Sequence, residues 1–393
     1  MNAPSPVLFG LEVASQTPPD VLRSARRFGL LANQASVDRG FRHAADVLAT
    51  RFPGRLAALF APQHGAWSTE QDNMIETAHG RHARLDVPVW SLYSETRKPS
   101  QQMLEGLDLL VVDLQDVGTR VYTYAWTLTY CLEACAQKGI PVLVLDRPNP
   151  LGGERAEGQA LDLAFASFVG RAPMPMRHGL TLGELARWCN DRLALGCDLR
   201  VLPMQGWRRS MLWPDTGRAW IPPSPNLPRH EGALVYPGQV LLEGTNLSEG
   251  RGTTTPFEQF GAPFIDPWQL LALASTHDLR GVALRPVHFE PTFQKWHGRA
   301  CGGLFLHATD AAAYRPYRTT LALLRGVREL WPHHFEWKQP PYEYEAVRLP
   351  IEILTGGTAV REFVDGERPL ADLDALAAPP ADWWQRVRRF LLY

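Results

Sequence analysis

The chain spaces out short aliphatic and β-branched runs, and each run stops at polar or turn residues. They are VLFGLEV (7–13), FGLLANQ (28–34), LAALFAPQ (56–63), VPVWSLY (87–93), LDLLVVDLQD (107–116), PVLVLDRP (141–148) and DLRVLPM (198–204). The runs are continuous rather than alternating, which predicts strands covered on both sheet faces. Helical patterns fill the gaps. The clearest spans 119–138, TRVYTYAWTLTYCLEACAQK, with Gly139 and then Pro141 as its stop. Another spans 181–193, where Thr181 followed by Glu184 is a capping-box signature. Strands alternating with helices predict a doubly wound α/β domain with a mostly parallel sheet.

That fold predicts where function sits, because ligands of such sheets bind outside the carboxyl ends of the strands. Four ends carry polar groups: Asn33 and Gln34; Gln63 and His64; Asp113, Gln115 and Asp116; and Asp146, Arg147 and Asn149. No G-x-G-x-x-G follows a strand and no G-x-x-x-x-G-K-[ST] occurs, so no dinucleotide or nucleotide cofactor is expected. One end raises a sharper question. In FAPQHGAWSTEQDNMIE (60–76) a buried run delivers Gln63, His64 and Gly65, then Glu70, Asp72 and Glu76. This is either a surface loop or the lip of an active site.

The texture changes near residue 205. WPDTGRAWIPPSPNLPRHEG is dense in Pro, Gly and Trp and reads as a crossover or a rigid extended arm. Residues 1–221 are expected to form the first domain and 222–393 a smaller α+β domain. The latter contains strand-like GVALRPVHFEP and CGGLFLHATD and the helical PYRTTLALLRGVRELWP. LLEGTNLSEGRGTT sets Glu243, Asn246, Glu249 and Arg251 among glycines, as a solvated loop or as backbone that approaches a ligand. Asp116 and Arg120 could be a helix-capping pair or site residues. Arg147 could be structural or a carboxylate clamp. Arg177 and His178 precede the capped helix at 181.

Forty basic against 41 acidic residues leave a formal net charge of -1, which favours neither nucleic acid nor an anionic membrane. Cys131, Cys135, Cys189, Cys197 and Cys301 are odd in number and lack zinc-site spacing, so free thiols in a reducing compartment are expected. MNAPSPVLFGLEVASQ has neither the basic nor the apolar region of a signal peptide and reads as a first strand. A soluble, cytoplasmic chain is expected. No H-E-x-x-H and no G-x-S-x-G elbow occurs, so neither zinc nor a serine triad is indicated. Carboxylates, amides, Arg and 13 Trp remain, an inventory that fits carbohydrate chemistry.

GLLANQASVD, FAPQHG, LDLLVVDLQDVGTRVYTY, VLDRPNPLGG, SFVGRAPMPMRHGLTLGELA, PPSPNLP, YPGQVLLEGTNLSEGRGTTTPFEQFGAPF and CGGLFLHATD resemble, in order, the blocks of the NamZ-like exo-β-N-acetylmuramidase family. The resemblance runs from about residue 28 to about 312. It implies a Rossmann-like domain that carries the cleft and a second domain that closes over it. It also implies release of N-acetylmuramic acid from the non-reducing end of peptidoglycan fragments, so the expected substrate is a muropeptide or amino-sugar oligosaccharide. The family usually reads Pro-Glu-His-Gly where this chain reads PQHG, and that glutamate is the favoured catalytic acid. Gln63 stands there instead, and an amide cannot donate a proton as a general acid. The acid is therefore expected at Glu76, then Glu70, with Asp116 as base or charge stabiliser. Arg147, Arg251 or Arg120 would bind the lactyl carboxylate. Gln63, His64, Asn33 and Asn246 would hold hydroxyl and acetamido groups, with Asp146, Asn149, His178 and Glu249 also in the binding set. The alternatives are a non-catalytic amino-sugar-binding protein and a hydrolase of a different amino sugar. Oligomeric state is left open.

Overall fold

A computed structural model describes residues 6–72 and 74–393. The first five residues of MNAPSPVLFGLEVASQ lie outside this description. Among the described residues, ten strands form two sheets. β1 (Phe28–Ala32), β2 (Leu56–Ala61), β3 (Gly80–Arg81), β4 (Pro88–Ser91), β5 (Leu109–Asp113), β6 (Val142–Leu145) and β7 (Leu199–Leu202) make a seven-stranded sheet in the order β3-β4-β2-β1-β5-β6-β7. Only the β3–β4 pairing is antiparallel. β1 and β5 are fully buried along their length, as the unbroken apolar runs require. β8 (Gln259–Ala262), β9 (Val282–Phe289) and β10 (Cys301–Ala308) form a smaller antiparallel sheet in the order β8-β10-β9. The helix Pro316–Leu330, with Leu321, Leu324 and Val327 buried, packs against the helices His230–Gln239 and Pro267–Ala274, which contact this sheet. The fold is α/β with a smaller second domain, as expected.

Two local readings are corrected. Residues 7–13 are not a strand. Leu8 makes one antiparallel bridge to Gln205, and a helix, Gly10–Gln16, follows at once. The Glu12 carboxylate accepts from the Phe9 amide at 2.6 Å at the helix start, and Leu11 and Ala14 are buried on the core side. Gly10 is required there, because a Cβ would lie 2.4 Å from the Asp146 amide nitrogen. The helix expected from 119 begins only at Tyr124. Residues 117–123 are instead drawn aside: the Arg120 amide donates to Met176 O at 2.7 Å, and Thr119 bridges to Arg177. The helix ends as expected, with Gly139 left-handed at φ 67. The Thr181–Glu184 capping box also forms.

The proline-rich arm crosses the carboxyl edge of the large sheet. Pro222 O accepts from Gln34, and Pro223 O accepts from the Tyr124 hydroxyl at 2.7 Å. The end of the chain returns to the first domain. Trp383, Val387 and Phe390 pack with Trp126 and Trp188, and the Tyr393 hydroxyl donates to Asp146 at 2.9 Å. Among the described residues no helix is long and apolar enough to cross a membrane. The five cysteines are free and buried.

Candidate active site

The sheet order turns between β1 and β5, the place where a doubly wound fold opens its crevice. Here the crevice floor is filled by the chain's own polar groups. Asn33 Nδ2 donates to Gln115 O at 3.2 Å, and Gln115 Nε2 donates to Asp116 O at 2.8 Å and Pro148 O at 3.0 Å. Arg147 forks onto Asp113 through Nε at 2.5 Å and Nη2 at 2.8 Å, with both side chains essentially inaccessible. Asp146 receives Thr181 Oγ1 and the Gly183 amide, each at 2.7 Å, and so holds the helix that Thr181 caps. Asn149 spans Leu180 O and the Leu151 amide. Asn33, Asp146, Arg147 and Asn149 are thus committed to the scaffold.

The polar cavity lies one layer above, between the loop after β2, the 121–124 connection and the second domain. Gln63, His64, Tyr122, Thr123, Tyr124, Ser224, Asn226, Tyr236, Glu243, Arg251, Tyr342 and Glu343 line it. Its free volume is about 40 Å³, room for about one water and too little for a sugar ring.

Gln63 follows directly from the β2 end and is buried. Its Oε1 accepts from Thr123 Oγ1 at 2.7 Å, which orients the amide so that Nε2 donates to Glu343 Oε1 at 3.3 Å. Glu343 arrives from the second domain and also accepts from the Tyr93 hydroxyl at 2.8 Å through Oε2. Burial raises its pKa to about 7; the Tyr93 and Gln63 hydrogen bonds oppose that rise, and the Glu243 charge adds to it. Glu343 is therefore a carboxyl that is substantially protonated at neutral pH, among polar groups, in a cleft.

His64 has a left-handed backbone, φ 71. Its Nδ1 lies 2.8 Å from Glu70 O, and a carbonyl can only accept, so the proton sits on Nδ1 and Nε2 is left as an acceptor. Burial lowers its pKa to about 4, so the ring is neutral at pH 7. Across the cavity Arg251 Nη2 donates to Glu243 Oε1 at 2.6 Å, and its Nε lies 3.1 Å from Glu249 Oε1. Lys295 holds the other Glu249 oxygen at 2.9 Å. The Tyr342 hydroxyl donates to Glu243 Oε2 at 2.6 Å. Arg251 Nη1 is buried and has no hydrogen-bond partner among the described residues. The arrangement offers one proton donor, a second carboxylate held by a cation and a phenol, and a spare guanidinium donor.

Of the residues singled out in the sequence, Gln63, His64 and Arg251 meet in this cavity, with Glu249 behind Arg251. Glu76 does not line it. It is exposed at the rim, 3.5 Å from Arg97 and 3.3 Å from the Tyr344 hydroxyl. Glu70 shapes the loop through its carbonyl contact to His64. Asp116 is buried below the cavity, where its Oδ2 caps the Gly118 amide at 2.7 Å and burial raises its pKa to about 7. His178 Nε2 lies 3.9 Å from it, and burial lowers that imidazole's pKa to about 3. Arg120 is no clamp, because its guanidinium donates to Met174 O at 3.0 Å and Leu354 O at 2.6 Å and stitches the domains together. Asn246 braces the 334–336 segment through His334 O and the Glu336 amide. Among the described residues no group of three or more His, Cys, Asp or Glu side chains is set to hold a metal ion.

Glu343 escaped sequence reasoning because PPYEYE lies beyond the resembling blocks and follows no strand end. The one available signal was Gln63 itself, which leaves a family site short of a carboxyl.

Comparison with known proteins agrees with this two-part construction. Residues 28–231 match the family model described as exo-beta-N-acetylmuramidase NamZ, N-terminal, and residues 234–393 match its C-terminal counterpart. The chain is 43% identical over 312 residues to the peptidoglycan beta-N-acetylmuramidase NamZ of Bacillus subtilis, which takes in 79% of this chain and 75% of that protein. A DUF1343 family protein from Bacteroides fragilis has a crystal structure similar to this one, with TM-score 0.88 and 30% identity over 98% of this chain and 99% of that one. A second from the same organism gives TM-score 0.75 and 28% identity over 99% of each chain. The chain belongs to the NamZ family of exo-β-N-acetylmuramidases.

Proposed function

We propose that this protein releases N-acetylmuramic acid from the non-reducing end of peptidoglycan fragments, with Glu343 as the general acid. One observation carries the assignment. The amide that replaces the family glutamate, Gln63, is hydrogen-bonded to a buried carboxyl from the second domain whose pKa is about 7. A proton donor works best when its pKa lies near the working pH. Protonated Glu343 donates to the glycosidic oxygen as the bond breaks. The carboxylate that results keeps the Tyr93 and Gln63 donors. Glu243, held by Arg251 and Tyr342, is the second carboxylate and faces the positive charge that develops on the sugar.

Arg251 supplies the clamp. N-Acetylmuramic acid differs from N-acetylglucosamine by a lactyl ether with a carboxylate, and the unpartnered Nη1 is a charged donor in place for it. Neutral His64 accepts a hydroxyl through Nε2, and Ser224 and Asn226 line the same wall. A cavity this small must widen to admit a sugar. The contacts that open are those made by the loop after His64, including Asn226 Nδ2 to Gln71 O at 2.5 Å and the Glu343 amide to Met74 Sδ at 3.3 Å. Five free thiols are what a reducing compartment leaves in place, so we assign the reaction, on muropeptide fragments, to the cytoplasm.

Turnover of a chromogenic N-acetylmuramide by the wild type, and its loss in Glu343→Gln, tests the proposal. The missing family acid also motivates a second reading, a binding protein without catalysis. Binding of the muramide without turnover would establish that reading instead.

A further inference from the structure

Glu343 and Tyr344 are consecutive, and both adopt left-handed backbone, φ 45 and 69. Neither is glycine, so the pair costs conformational energy, and such strain concentrates where side chains must be aimed. Its effect is to send the two side chains to different places. Glu343 is 4% exposed and lines the cavity, whereas Tyr344 is 51% exposed outside its lining.

The Tyr344 ring is fixed on three sides. The Arg97 guanidinium carbon lies 3.2 Å from its centroid and covers one face. The hydroxyl donates to Glu76 at 3.3 Å. Tyr93, which also binds Glu343, meets it edge-on with centroids 5.8 Å apart. Arg97 covers one face, and half of the residue remains exposed. Beside the ring, Arg97 Nη2 pairs with Glu76 Oε1 at 3.5 Å, so the cation that backs the ring is itself held in place. A braced, half-exposed aromatic ring is the chemistry that receives a pyranose, whose C–H face stacks on it.

We infer that Tyr344, backed by Arg97, is the platform for the leaving-group sugar, so that the enzyme selects a second pyranose ring on the far side of the scissile bond. This rests on the hydrolase reading above. A general acid protonates the glycosidic oxygen, so the leaving group departs on the acid's side. Tyr344 follows Glu343 in the chain and shares Tyr93 with it, so it is the half-exposed aromatic ring beside the acid. Glu76 shares this rim and bonds the platform rather than acting on the bond.

The test compares two N-acetylmuramides, one whose leaving group is a pyranose and one whose leaving group is trifluoroethanol, which has no ring. Tyr344→Ala is expected to lower kcat/KM roughly tenfold on the first, the scale of one lost stacking contact, and much less on the second. Tyr344→Phe keeps the face and should retain most activity on both. The alkaline limb of the pH profile, which belongs to Glu343, should stay in place in both variants. Equal loss on the two substrates, or a moved limb, means that Tyr344 only supports Glu343 and overturns the inference. No loss on either also overturns it. Calorimetry separates this from failure of the hydrolase reading. The pyranose-bearing muramide should bind Glu343→Gln roughly tenfold more tightly than it binds the double variant with Tyr344→Ala. Equal binding, or none, rejects the platform whether or not the wild type turns over.

Discussion

Gln63 and Glu343, 280 positions apart in the chain, share a 3.3 Å hydrogen bond across the junction of the two domains. It joins the position where the resemblance implies a glutamate to the carboxyl we propose as the acid. Glu343→Gln should therefore abolish hydrolysis of muramides with poor leaving groups and spare activated aryl glycosides more, since a good leaving group needs less protonation. Steady-state rates on the two substrate types decide the matter. Equal losses would assign Glu343 to binding.

Gln63→Glu is the complementary change. It sets a second carboxyl against Glu343, and two such groups in one buried site cannot both ionise readily. One proton is then retained to higher pH. The alkaline limb of kcat/KM, expected near pH 7 in the wild type from the raised pKa of Glu343, should move upward by about one unit or more. A limb that stays near pH 7 in this variant would detach Glu343 from the profile.

How far the site was legible depends on how far each residue's role is local. The unbroken apolar runs carried the sheet, and the Thr181–Glu184 box and Gly139 carried helix ends, because each is decided within a few residues. VLFGLEV misled because the Glu12 cap and the close approach of Gly10 to Asp146 outweigh its β-branched residues. The polar strand ends were rightly placed on one edge, yet Arg147 satisfies Asp113 and Asn33 satisfies Gln115, leaving neither for a ligand. Such pairings join residues 34 and 82 positions apart, and no spacing rule reports them. Glu343 was invisible for the same reason, since only the closing of the second domain brings it to Gln63.

Arg251 should be tested with lysine rather than alanine. Arg251→Ala would leave Glu243 and Glu249 without their shared cation inside the protein, and stability should fall by about 3–5 kcal/mol. Arg251→Lys keeps the charge and loses the fork. It should lower kcat/KM on an N-acetylmuramide by an amount worth roughly 1.5–3 kcal/mol, the range for a hydrogen bond to a charged group, and change a neutral N-acetylglucosaminide much less. Unaltered discrimination between the two sugars would move the clamp elsewhere.

Asp116 makes a prediction about stability against pH. Its folded pKa is raised from 3.8 to about 7 by burial, so the native state holds a proton that the unfolded chain releases near pH 4. Its contribution to stability is fully present below pH 4 and is lost as pH rises through 7. Buried His178 acts with the opposite sign, since its pKa is lowered from 6.5 to about 3 and the unfolded chain gains its proton first as pH falls. Asp116→Asn removes only the first effect. Urea midpoints of this variant relative to wild type should therefore rise between pH 5 and 8. A pH-independent difference would show that Asp116 does not change protonation on folding.

Arg147 separates scaffold from site most cleanly. Its guanidinium forks onto Asp113 with side-chain exposures of 1% and 0%, and Nη2 also reaches Val37 O at 3.0 Å. Removing one partner of such a pair strands the other charge in the interior, which typically costs about 3–5 kcal/mol. Arg147→Ala should therefore lower the urea midpoint sharply, while the fraction that stays folded keeps the wild-type preference for the lactyl sugar. Arg147→Met with Asp113→Leu removes both charges at similar volume and should recover much of the lost stability without altering that preference. The measurement is urea unfolding of the three proteins beside their kcat/KM ratio on muramide and glucosaminide. If Arg147→Ala leaves stability intact but erases the preference, Arg147 is the carboxylate clamp after all, and the cavity lined by Arg251 loses its claim to the lactyl group.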